Sequence, residues 1–243
     1  MSKIKEAFKG GKLFIPFITC GDPDIKTTEK IIYSAVENGA KLIELGIPFS
    51  DPTCEGPVIQ SANVRALKNG VTTDKIFDMV KNIRKNTDVA LVFMTYANVI
   101  FSYGAEKFLK NCSEAGIDGV EIPDLPFEEK DEFLAEFKKY DVKLISIVSP
   151  NSGKRAAMIA KEAEGFIYIA GATVEMGDML SLLDEIRKYT DIPCVVDFDI
   201  MVHTKKDKIP AEFDGVIVST PIIELIEKYK TDSPEYIGEY IKR

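Results

Sequence analysis

Eight short apolar runs, each followed by a longer segment with helical spacing, constrain this chain more than anything else in it. The runs are Leu13–Thr19, Lys41–Gly46, Val89–Met94, Gly119–Ile122, Val142–Val148, Gly165–Ala170, Cys194–Phe198 and Gly215–Val218. They are mostly continuous rather than alternating, as in strands covered on both faces. Between them, Ile31, Ile32 and Ala35 share one face of Thr28–Val36. Phe77, Val80 and Arg84 share a second face, and Phe133, Leu134 and Phe137 a third. Cap-type residues open several of these segments, as at Thr27-Thr28-Glu29 and Thr72-Thr73-Asp74. Glycines end others, at Asn38-Gly39, Asn69-Gly70 and Ala115-Gly116. With no break in composition and no low-complexity linker, this pattern predicts a single α/β domain over 1–243, a (β/α)8 TIM barrel. The competing architecture is a doubly wound sheet, which usually has fewer strands and a glycine-rich first turn. The first turn here, Thr19-Cys20-Gly21-Asp22-Pro23, lacks that fingerprint.

In a barrel, functional groups gather on the loops that follow the strands. Glu44, Glu55, Tyr96, Asn98, Asp124 and Gly177 all fall at or after strand ends, so one mouth should hold them. Glu44, between Ile43 and Leu45, is the most informative. Burying an ionised carboxylate there costs several kcal/mol unless it is paired, so its pKa should rise. A structural ion pair with a nearby Lys or Arg is the plain alternative. Glu55 lies on the Pro/Gly-rich loop eleven residues on, which suits a general acid/base with an orienting partner. Two carboxylates also fit a glycosidase, but this chain has no tryptophan for sugar stacking. Tyr96 either lines a pocket or caps the next segment, and Tyr168 either meets a ligand or packs in the core. The two prolines of Ile122-Pro123-Asp124-Leu125-Pro126 stiffen a loop that could serve as a docking edge or as a rigid turn.

A net charge of −8 argues against nucleic acid or an anionic membrane as partner. The strongest basic cluster, Lys205-Lys206-Asp207-Lys208, reads as surface, as does His203 beside it. Four cysteines, Cys20, Cys54, Cys112 and Cys194, are widely spaced, and with a single histidine they offer no zinc-type ligand set. Neither a secretory leader nor an apolar run of spanning length is evident, so a cytoplasmic protein with reduced thiols is expected.

Taken together, these segments resemble the α subunit family of tryptophan synthase. The similarity covers nearly the whole chain: Pro16-Phe17-Ile18-Thr19, Gly21-Asp22-Pro23, Glu44 through Pro52, Gly56-Pro57-Val58-Ile59-Gln60 and Met94-Thr95-Tyr96-Ala97-Asn98. It continues in Pro123-Asp124-Leu125-Pro126, Gly165-Phe166-Ile167-Tyr168 and Asp214-Gly215-Val216-Ile217-Val218. The resemblance implies a lyase that cleaves indole-3-glycerol phosphate to indole and glyceraldehyde 3-phosphate by a retro-aldol reaction, with no metal or organic cofactor. It implies that Glu44 is the general acid/base and that Glu55, where the family usually has Asp, accepts the indole N–H. Tyr168 would stand close to the catalytic carboxylate, Tyr96 would contact substrate, and the loop from Phe49 to Val58 would meet a β subunit carrying pyridoxal phosphate.

Departures from the family cluster at the phosphate. The family holds that group with backbone N–H donors on glycine-rich turns after strands six, seven and eight, aided by a helix N-terminus. Here the first turn reads Val174-Glu175-Met176-Gly177, keeping only the last glycine. The second reads Asp197-Phe198-Asp199-Ile200, and the third Ser219-Thr220-Pro221. The corresponding substrate contacts fall on Gly177, Asp197, Asp199, Ser219 and Thr220. A carboxylate ~5 Å from one negative charge costs ~3 kcal/mol at an effective dielectric of ~20, more than the ~0.3–1 kcal/mol a helix terminus usually returns. Two alternatives follow: a diverged enzyme that keeps the acid/base pair for a non-phosphorylated substrate, or a non-catalytic barrel subunit.

Overall fold

The computed structural model describes residues 2–171, 175–197 and 211–242. Each of the eight apolar runs is a strand: β1 (Leu13–Thr19), β2 (Leu42–Gly46), β3 (Ala90–Met94), β4 (Gly119–Glu121), β5 (Lys143–Val148), β6 (Glu164–Ile169), β7 (Cys194–Asp197) and β8 (Gly215–Val218). All pair in parallel, in chain order, and β1 also pairs with β8, so the sheet closes on itself. The helices are α1 (Lys3–Phe8), α2 (Ile25–Glu37), α3 (Pro57–Lys68), α4 (Thr73–Ile83), α5 (Ala97–Tyr103), α6 (Ala105–Ala115), α7 (Asp131–Lys139), α8 (Arg155–Glu162), α9 (Met176–Arg187), α10 (Thr220–Tyr229) and α11 (Ser233–Lys242). This is the expected (β/α)8 barrel. Among the described residues, no helix is long and apolar enough to cross a membrane.

The helical stripes point where their spacing places them. Ile31, Ile32 and Ala35 of α2 and Phe77 and Val80 of α4 are buried against the barrel. Arg84, just past α4, leaves that stripe to pair with Asp118. Thr72 caps α4 as expected. Helix α2 starts earlier than its Thr27-Thr28-Glu29 signal suggests, because the Asp24 carboxylate captures the Thr27 N–H at 2.8 Å.

The floor of the barrel is braced twice by one device. Asp118, just before β4, accepts the Leu91 N–H of β3 at 2.9 Å and pairs with Arg84. Asp214, just before β8, accepts the Cys194 N–H of β7 at 2.7 Å and pairs with Arg187 at the end of α9. Helix α1 lies against both β3 and β6, with Ile4 and Ala7 buried. These contacts hold the strands from below and leave the opposite end to the polar side chains.

Candidate active site

Glu44 sits mid-strand in β2, 3% exposed. In the sheet β2 touches only β1 and β3. Glu44 nevertheless acts on Glu121 of β4, Asp197 of β7 and Tyr168 of β6. Only the barrel interior brings those strands together, so the Glu44 carboxyl faces inward. Glu44, Glu121 and Tyr168 come from alternate strands, the arrangement by which barrel interiors fill in layers. Gly46, two residues on, keeps the wall thin: an added Cβ there would meet Phe17 Cζ at 2.5 Å.

Burial pushes Glu44 up to about 8; Asp197 and Glu55 push the same way, while a hydrogen bond with Glu121 opposes them. No lysine or arginine acts on Glu44 among the described residues.

Glu55 is half-buried on the loop between β2 and α3. Asn63 of α3 donates to its Oε2, and Tyr96 donates to its carboxyl as well. Burial outweighs both donors and pushes Glu55 up to about 7. Tyr96 is 1% exposed, and its hydroxyl also accepts the Cys54 N–H at 3.1 Å while its ring packs on Phe49. It therefore ties the loop to the end of β3. Asn98 lies exposed on α5, and Asp124 accepts the Ala97 N–H at 2.9 Å, capping that helix.

On the far side, the Tyr168 hydroxyl donates to Asp197 Oδ2 at 2.9 Å. Burial, then the neighbouring Asp197, Glu121 and Glu44, raise the Tyr168 pKa well above its ordinary value, so it remains a donor. Asp197 is thus turned into the mouth. Ser219 is 6% exposed and stands just ahead of α10, which Thr220 opens and Pro221 follows. Gly177 is exposed in the first turn of α9, where an added Cβ would meet nothing within 4 Å. Asp199, His203 and the Lys205–Lys208 cluster lie outside the described residues.

Two residues of the site escaped the sequence reading. Asn63 carried no signal. Glu121 carried the same one as Glu44, a carboxylate between apolar neighbours in a strand run, here Val120 and Ile122. No group of three or more Asp, Glu, His or Cys suited to hold a metal occurs among the described residues.

A closed parallel barrel with a desolvated carboxylate aimed into its mouth defines a TIM-barrel enzyme of acid/base type. The family model for the tryptophan synthase alpha chain matches residues 2–241, and this chain belongs to that family. Among curated relatives, the tryptophan synthase alpha chain of Lacticaseibacillus casei is 41% identical over 250 residues, covering 100% of this chain and 94% of the relative. That of Petrotoga mobilis is also 41% identical, over 100% and 97%. Among solved structures, tryptophan synthase subunit alpha of Legionella pneumophila superposes with a TM-score of 0.89 at 31% identity, covering 100% of this chain and 96% of that one. The tryptophan synthase α2β2 complex of Pyrococcus furiosus contains a chain that matches at 0.86 and 28% identity, over 96% and 97%.

Proposed function

We propose that Glu44 and Glu55 divide the chemistry of this family's reaction between them. As a tryptophan synthase alpha-type lyase, the chain cleaves indole-3-glycerol phosphate to indole and glyceraldehyde 3-phosphate, a carbon–carbon cleavage of aldolase type. Such a retro-aldol step must put a proton on the indole ring carbon and take one from the adjacent side-chain hydroxyl. Glu44, held protonated near neutrality, gives the first proton and as a carboxylate helps remove the second. Glu55, ionised once above about 7, accepts the indole N–H and stabilises positive charge as it develops on the ring. Asn63 and Tyr96 hold Glu55 for that contact, which offsets the extra methylene relative to Asp. Tyr168 positions Asp197 beside Glu44.

The substrate phosphate is assigned to the start of α10, where Ser219 precedes the helix and Thr220 opens it, with Gly177 of α9 on the same β6–β8 side of the mouth. Asp199 stays a sequence-based expectation for that side. The exposed loop residues Ser50 and Asp51, with Phe101 of α5 at 74% exposure, support docking of a β subunit at this end. Free thiols at Cys20, Cys54, Cys112 and Cys194 support a reducing, cytoplasmic setting. The eight strands sharing one sheet support treating 1–243 as one domain.

The observation that carries this reading is Glu44 itself: buried, aimed into the mouth and, among the described residues, paired with no cation. The test is release of indole from indole-3-glycerol phosphate by the purified chain, with and without a β subunit. Turnover that disappears in Glu44→Gln is expected; a wild-type chain inert under both conditions overturns the assignment.

A further inference from the structure

A second buried carboxyl meets Glu44 inside the barrel. Glu121 ends β4, 3% exposed. As two carboxylates, Glu44 Oε1 and Glu121 Oε2 are buried acceptors that no donor reaches among the described residues. A proton on either one changes that, since a carboxylic acid donates where a carboxylate accepts, and the two side chains lie within hydrogen-bonding range. Among the described residues, the other titratable groups acting on the pair are Asp197 of β7, Glu55 of the loop after β2 and the Tyr168 hydroxyl of β6, none of them a cation. Burial and the facing Glu44 keep Glu121 neutral well above the usual carboxylate range. Its hydrogen bond acts on Glu44 in the opposite sense, favouring the ionised form.

We infer that Glu121 is a positioning residue for the cleavage: a neutral carboxylic acid that donates to Glu44, fixes the direction of its carboxyl and stabilises the carboxylate formed during turnover. This rests on the role given to Glu44 above. In the cleavage, the Glu44 proton forms the new C–H bond at the ring carbon. The hydroxyl proton then returns to Glu44 as the carbon–carbon bond breaks, the O–H pair becomes the aldehyde C=O, and the bonding electrons restore the ring. One proton leaves Glu44 and one comes back. Between those events Glu44 is an anion in a closed barrel, and Glu121 is its donor, keeping its own proton throughout.

The test compares Glu121→Leu, which removes the donor, with Glu121→Gln, which keeps an N–H in its place, both in the full chain. In Glu121→Leu, kcat is expected to fall about 10- to 100-fold, the worth of one hydrogen bond to a charged group, with KM changing by less than about threefold. The limb of the pH profile set by Glu44 should move up by about one to two units. Glu121→Gln should recover most of the loss. Carboxyl carbon NMR with labelled glutamate reads the same contact without turnover. The Glu44 signal, identified by its absence in Glu44→Gln, should titrate at higher pH in Glu121→Leu, and in the wild type Glu121 should titrate above Glu44. Three results overturn the inference: an unchanged Glu44 titration in Glu121→Leu, a Glu121→Gln as impaired as Glu121→Leu, or a wild-type Glu121 that ionises before Glu44. A wild-type chain that releases no indole refutes the activity, while the NMR comparison still decides the contact, and the wild-type titration does so even where Glu121→Leu fails to fold.

Discussion

On the β2–β4 side of the mouth the polar groups are carried by strands or tied to them: Glu44 and Glu121 point inward from β2 and β4, and Tyr96 and Asn63 anchor Glu55. On the β6–β8 side the polar groups assigned to the substrate sit mostly at helix starts, Gly177 in α9 and Ser219-Thr220 before and in α10, with the Asp197 carboxylate among them. The contrast follows from what each half must do. Proton transfer near neutrality needs desolvated carboxyls, and a closed barrel supplies desolvation at its inner wall. Anion binding needs backbone N–H donors and room for an approach, which strands cannot offer because their N–H groups are spent on neighbouring strands.

The largest effect that would break this division is expected from Glu44→Gln: a kcat lower by about 10²–10⁴-fold in indole release, the usual worth of a general acid/base, with a native circular dichroism spectrum. A comparable loss on deleting a polar group of the β6–β8 side would show the halves not to be distinct. Burial raises Glu44, so the folded chain binds that proton more tightly than the unfolded chain does. Stability from this group is therefore lost as pH rises from the ordinary carboxylate range through about 8. Glu44→Gln should flatten that fall in urea denaturation.

Arg65 of α3 joins the two sides. It grips the fully buried Asp22 through Nε at 2.9 Å and Nη2 at 2.7 Å, and reaches Glu227 of α10 at 3.2 Å. Arg65→Ala leaves Asp22 buried and uncompensated, so a loss of roughly 3 kcal/mol is expected in chemical denaturation. Asp197→Asn sharpens the comparison from the anion side: with one negative charge fewer in the mouth, KM for the phosphorylated substrate should fall about tenfold, by the Coulomb cost of like charges a few ångströms apart. Glu55 must be ionised and Glu44 protonated. The rate should therefore decline below about 7 and above about 8, with its maximum between. The smallest effect belongs to Asn63→Ala, which removes a donor from Glu55 and should move the acidic limb upward by less than about one unit.

Much of this was legible before any coordinates. The apolar runs became strands to within one or two residues, since a run covered on both faces has nowhere to end except at its polar or glycine flanks. Glu44 stood out because burial of a carboxylate is costly enough to demand a reason. Glu121 bore the same mark. What its sequence position could not show is that β2 and β4 flank β3 with both carboxyls turned into the interior, near enough for two side chains 77 residues apart to meet. Tyr96 illustrates what pattern leaves open: its placement after a strand predicted a pocket wall or a cap, and in the fold it takes the N-cap position of α5 while its hydroxyl meets Cys54 and Glu55.

The linear chain alone determined the barrel and the greasy setting of its acid/base group, because both depend on local pattern: periodicity sets which faces are covered, and covered faces set which charges are anomalous. Only the tertiary structure decided which groups act on that carboxyl. Hydrogen bonds and charge interactions fall off over a few ångströms, and closing eight strands into a ring creates neighbours across the interior that no spacing along the chain encodes.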